Sequence, residues 1–208
     1  LYGSGGTIQT GSESACLTLT HGGAYAGSIA GRGGLNIAGG TFVLSGSHTH
    51  SGTTTLSNHA ILKLGADLVS LPNSNLSLHD ASQLDLNYRS SIIQSLHGMP
   101  ETSIVRGGTL SILSGGTFCG SIKDATAVTL SGNTLTLNPE RLNDYTGVTT
   151  IANGTLLAAR VNAFSPYSPV VLSGSSSVLD LNHHDNHIHS LSSTSPEARV
   201  CLGSATLS

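Results

Sequence analysis

Seven residues carry the densest chemistry in this sequence. His183-His184-Asp185-Asn186-His187-Ile188-His189 sets four imidazoles beside a carboxylate. His187 and His189 are two apart, so on an extended strand they share a face. Imidazole plus carboxylate suits Zn²⁺ or Cu²⁺, which makes His184, His187 and His189 the candidate ligands. His48 and His50 share the two-residue spacing and carry the same chemistry more weakly. A metal site needs fixed ligand geometry, and the plainer reading of the run is a polar turn after Leu181-Asn182. Ile188 reads as inward-facing, which turns His187 and His189 out to solvent. No metal or cofactor is therefore assigned.

Catalytic motifs are missing. The chain has no G-x-S-x-G, no P-loop and no G-x-G-x-x-G. Its eight basic and eleven acidic residues are scattered, and no two carboxylates sit close enough to suggest an acid/base pair. We read the chain as no enzyme. A net charge of −3 gives no grip on nucleic acid. No apolar run approaches the roughly 20 residues that a helix needs to cross a bilayer, so direct membrane insertion is not expected. Cys16, Cys119 and Cys201 form no CxxC pair. They are expected as three free, mostly buried thiols.

The elements that position these groups read as short strands. Only 9% of residues are charged, against about 25% in an ordinary domain. Gly contributes 26 residues, and there is no Trp. Aliphatic residues recur throughout, which is not a disordered composition. Alternation dominates, as in Leu17-Thr18-Leu19-Thr20, Val128-Thr129-Leu130 and Leu135-Thr136-Leu137. Leu84-Asp85-Leu86 and Leu179-Asp180-Leu181 each set a charge between two apolar neighbours, which requires opposite faces. These runs are three to five residues long and close on Gly, Asn or Ser.

The chain also nearly repeats itself. Gly115–Ile122 echoes Gly22–Ile29 at a shift of 93 residues (115 − 22). Tyr145–Asn153 echoes His50–Asn58, and Leu179–Asn182 echoes Leu84–Asn87, both at 95 (147 − 52 and 180 − 85). Two copies result, roughly 15–107 and 108–202, in one continuous domain of 1–208 without a linker. An in-order echo of this kind marks a repeat architecture. The predicted fold is all-β, a right-handed parallel β-helix (solenoid), with a β-propeller as the alternative. Coils of about 20–25 residues would put roughly four coils in each period and make a rod roughly 40–45 Å long. The predicted inward ladder includes Leu84, Leu86, Leu110, Ile112, Val128, Leu130, Leu135, Leu137, Ile151, Leu156, Leu179 and Leu181. Segments 141–144 and 166–169 read as loop excursions.

These residues carry a resemblance. Thr134-Leu135-Thr136-Leu137, then Tyr145-Thr146-Gly147-Val148-Thr149-Thr150-Ile151-Ala152-Asn153-Gly154-Thr155-Leu156, then Val178-Leu179-Asp180-Leu181-Asn182 resembles the autotransporter-associated β-strand repeat. Thr134–Ser192 is the better match and Gly22–Leu96 a weaker copy, with His50 where the family has Tyr and His59 where it has Gly. The resemblance implies a passenger region displayed outside a Gram-negative cell and attached to the outer membrane by a C-terminal membrane β-barrel of the same polypeptide. It also implies a structural stalk that supports secretion and presents adhesive or effector parts. Two alternatives stand beside it: an adhesin-type binding module for a host surface protein or glycan, and a polysaccharide-processing β-helix enzyme. What recurs in both copies reads as scaffold, and what appears once, above all the His183–His189 run, is where a private function would sit.

Overall fold

A computed structural model describes residues 1–67, 69–99 and 102–208. Every pairing between its 22 strands is parallel, and the strands stack as a β-solenoid of about nine turns. No helix occurs among the described residues. The predicted β-helix is therefore the observed fold, and the propeller alternative is set aside.

Each coil has three faces. The first carries Cys16–Leu19, Gly34–Ala38, Thr54–Ser57, Gly116–Phe118, Thr134–Leu137, Gly154–Ala158, Ser177–Asp180 and Arg199–Cys201. The second carries Gly23–Tyr25, Thr41–Leu44, Ile61–Leu64 and Ser121–Lys123. The third carries Ser28–Ala30, Ala127–Leu130, Thr149–Ile151, Pro169–Leu172 and Ser190–Ser193. Alternation places the same kind of residue inward on all three. One ladder runs Leu19, Ile37, Leu56, Leu78, Gly98, Phe118, Leu137 and Ala158 up the first face. All twelve predicted inward residues are buried, none more than 2% exposed. They join one core running from Leu19 to Leu181. Burying each Leu contributes about 1.5–3 kcal/mol, so the ladder is the main source of stability.

Not every strand is short. Gln83–Gly98 is 16 residues long and winds around all three faces. Its first part pairs with Ile61–Lys63, its middle with Gly108–Ile112, and its end with Phe118. It turns the corner at Asn87 and Tyr88, whose φ angles are 51° and 60°. Two consecutive left-handed residues bend the chain sharply, and Asn tolerates that conformation better than most. The backbone thus turns with only a local register shift between Asp85 and Arg89.

The echo does not contain a whole number of coils. From Thr54, four coils of pairing lead through Leu76, Leu96 and Gly116 to Leu135. Thr149, which echoes Thr54, lies two faces further on. The period is therefore four and two-thirds turns, where the sequence suggests roughly four. Each motif returns one face out of phase. Leu84 sits on the second face beside Val105, and Leu179 on the first beside Leu156. Ile188, 95 residues after Ile93 (188 − 93), therefore does not share its ladder. The ladder of Ile93 continues through Ile112, Leu130, Ile151 and Leu172 to Ser193.

Candidate functional site

The histidine run occupies the corner between the first and second faces, just after Ser177–Asp180. The corner is built as its twin is. Asp180 Oδ1 accepts from Asn182 N at 2.8 Å, and Asp85 Oδ1 accepts from Asn87 N at 2.8 Å. Asn182 and His183 then take φ of 45° and 64°. Past this bend the side chains go separate ways. His183 Nδ1 lies 3.1 Å from Ser204 Oγ in the next coil, and His187 Nδ1 meets the Ser208 hydroxyl. His184 is half-buried, His187 and His189 are exposed, and Ile188 packs on the core edge between them. Asp185 Oδ1 accepts from Thr206 N at 2.7 Å. Asn186 is fully buried, accepting from Phe164 N at 3.0 Å and donating to the His184 carbonyl at 2.8 Å. The run thus ties one coil to its neighbours. Among the described residues, no three His, Cys, Asp or Glu side chains converge on a point where a metal ion could bind.

The segments expected as loop excursions are tight corners instead. Asn143 is buried, with Oδ1 accepting from Ile122 N at 2.7 Å and Nδ2 donating to Ala163 O at 2.6 Å. Ser168 is buried and donates to Gly147 O at 2.8 Å. Each corner is pinned to the core by one buried polar side chain, which leaves little length to spare for an excursion.

The cysteines all lie on or beside the first face, and none is bridged. Cys119 is buried, but Cys16 and Cys201 are exposed, against the expectation of mostly buried thiols. Cys16 precedes inward Leu17, and Cys201 continues the outward register of Asp180. Alternation turns both out. Burial, reinforced by the nearby Glu140 carboxylate, pushes the Cys119 thiol above its ordinary value. A protonated thiol is a poor nucleophile and a poor metal ligand.

One arrangement was not anticipated. Ser-Leu-His occurs at 77–79 and again at 95–97. Spacing of two puts each hydroxyl and imidazole on one side of a strand. Ser77 Oγ lies 2.8 Å from His79 Nε2, and Ser95 Oγ 2.9 Å from His97 Nε2. Ser77, His79 and His97 border an open recess of about 240 Å³ with Met99 and Cys119. At Ser95 the chemistry runs the wrong way for a nucleophile. Ser95 donates its only proton to Asn75 Oδ1 at 2.7 Å, so His97 must donate to Ser95 rather than accept from it. An imidazole in that role does not activate the hydroxyl. A second open groove of about 690 Å³ lies between Ser175-Ser176 and Pro196–Arg199. Its only charged groups are Glu197 and Arg199, which suits no acid/base pair.

Exposed charges pair across coils. Lys63 meets Asp85 at 3.4 Å, Arg106 meets Asp124 at 2.9 Å and Lys123 meets Asp144 at 3.0 Å. Exposed apolar residues include Tyr88, Tyr167, Leu142 and Val161.

The chain matches no family model, no curated protein and no solved structure.

Proposed function

We propose that this chain is a structural stalk segment of a secreted, surface-displayed protein, a spacer whose product is length and stiffness. The observation that carries this reading is the unbroken core from Leu19 to Leu181, closed at its corners by buried Asn and Ser side chains. A stack in which each coil contacts its neighbours gains stability stepwise, so each coil can fold onto the one before it as the chain emerges from a membrane pore. Low charge removes the self-repulsion that would oppose such stacking. In this reading, which the motif resemblance supports, the stalk stands on the outer surface of a Gram-negative cell, joined to a C-terminal membrane β-barrel of the same polypeptide. The histidine run, tied into the next coil, acts as a junction in this reading.

Excision of one coil tests the proposal. Thr134 pairs with Thr155, so removing residues 134–154 deletes one turn in register. In an outer-membrane display fusion with a fluorescent reporter at the N-terminal end, export should persist and the reporter should sit about 4.8 Å nearer the membrane. A reporter height indifferent to coil number would overturn the stalk reading.

A further inference from the structure

The echo supplies an internal control for two buried histidines. Position by position, His48-Thr49-His50 matches Asn143-Asp144-Tyr145, and the hydrogen bonds match too. Thr49 N donates to Ile29 O at 2.8 Å, as Asp144 N donates to Ile122 O at 3.3 Å. His50 Nε2 meets Thr54 Oγ1 at 2.8 Å, and Thr54 meets Ser74 Oγ at 2.8 Å. Tyr145 Oη meets Thr149 Oγ1 at 2.7 Å, and Thr149 meets Ser168 Oγ at 2.9 Å. Ser74 closes on Gly52 O at 2.6 Å, and Ser168 on Gly147 O at 2.8 Å.

The difference lies in the groups that can take a proton. Asn143 spends both ends of its amide on the coils before and after it. His48 occupies the same place at 1% exposure, and neither of its ring nitrogens has a partner. His50 is fully buried and leaves Nδ1 unpartnered. A scaffold that needed only filling would use the Asn/Tyr pair, as the second copy does. No charge is at hand to receive a proton. The adjacent strands Ser28–Ala30, Gly34–Ala38, Thr54–Ser57 and Leu71–Leu78 contain no ionisable side chain. Arg32 and Asp67 flank them on the outside, both exposed, and Asp67 is paired with Arg89 at 3.5 Å. The titratable neighbour whose charge bears on His48 is His50 itself.

We propose that the coils around His48 and His50 are an acid-operated weak point in the rod, opening when the two imidazoles are protonated while the coils around Asn143 and Tyr145 stay closed. Burial first, then the charge of His50, lowers His48 from 6.5 to about 4, and burial lowers His50 as well. The sign follows from linkage. Above pH 6.5 both folded and open forms hold neutral rings, and pH has no effect. Below it the open form takes up protons that the folded form refuses, so stability falls until pH passes the folded value near 4. Between pH 7.5 and 4.5, His48 alone raises the open population roughly seventyfold, and His50 adds to it.

Hydrogen exchange read by peptide at pH 7.5 and 4.5, corrected for the intrinsic rate, tests this on the whole chain. Peptides spanning 28–57 should lose protection in acid, and those spanning 122–151 should keep it. The variant His48→Asn with His50→Tyr copies the second site and should abolish the difference. Equal loss of protection in both regions, or acid opening unchanged in the variant, overturns the proposal. Should the variant fail to fold, the wild-type imidazole NMR signals decide. The His48 ring should not titrate between pH 8 and 5 in the folded chain, and a His48 midpoint near 6.5 with protection intact would refute the weak point.

Discussion

His59 takes a φ of 59°, directly after Asn58 at 52°. Left-handed backbone costs an L-residue about 1–2 kcal/mol, and glycine escapes most of that. The second copy has Gly154 at the matching position, with φ of 86°. His59 is exposed, so no packing is lost on removing it. His59→Gly should therefore raise stability by about 0.5–1 kcal/mol after glycine's extra unfolded-state entropy is counted, read as an increased denaturation midpoint. The sequence shows this departure directly, because the corner motif is local. It does not show the Tyr145–Thr149–Ser168 chain of hydroxyls. Tyr145 and Thr149 are visible four residues apart, but Ser168 arrives from the next coil, 19 residues beyond Thr149. Burial raises the Tyr145 hydroxyl, with its bonds to Thr149 and Ser168 pulling the other way. Nothing in a residue list says which distant serine will complete such a chain.

Strands were legible from alternation, since inward Leu, Ile and Val stand opposite outward Thr, Ser and Asn. Cross-coil fit was not. Gly98 sits at an inward position of the first face, where alternation alone would call for a bulky residue. The reason lies one coil on. Phe118 is fully buried, and a Cβ on residue 98 would stand 2.7 Å from its ring. A large residue next to an absent one fills the layer, as close packing demands. Gly98→Ala should thus cost about 1–3 kcal/mol by overpacking. Adding Phe118→Leu should recover much of that loss in a double-mutant cycle of thermal unfolding. Independent, additive losses would mean that the two side chains do not compete for the same space. Element length was misjudged for a related reason. Asn87 and Tyr88 look like a strand terminator, yet pairing resumes immediately beyond the bend.

At the scale of the whole molecule, the repeat was visible and its phase was not. A sequence echo counts residues, whereas a face is a third of a turn, and coils here hold between 17 and 23 residues. Only the pairing register shows that the motifs come back after four and two-thirds turns. Each face imposes the same demand, apolar inward and polar outward, so a motif can move from one face to another without penalty. This also bears on function. A binding groove would need matching residues to line up along one face, and the offset disperses them. The histidine run stays a single corner, and its candidate ligands do not gather with a second set.

Two native side chains are placed to measure whether the rod is uninterrupted. Cys16 and Cys201 are exposed and unbridged. The ladder of Cys16 climbs through Gly34, Asn75–Ser95, Thr134–Thr155 and Val178 to Arg199, two residues before Cys201. Nine steps at about 4.8 Å separate them by about 43 Å. With Cys119 replaced by Ala, spin labels on the remaining two thiols should give a narrow dipolar distance distribution centred near that value. A distribution centred below about 30 Å, or spread over tens of ångströms, would contradict a continuous stack of coils.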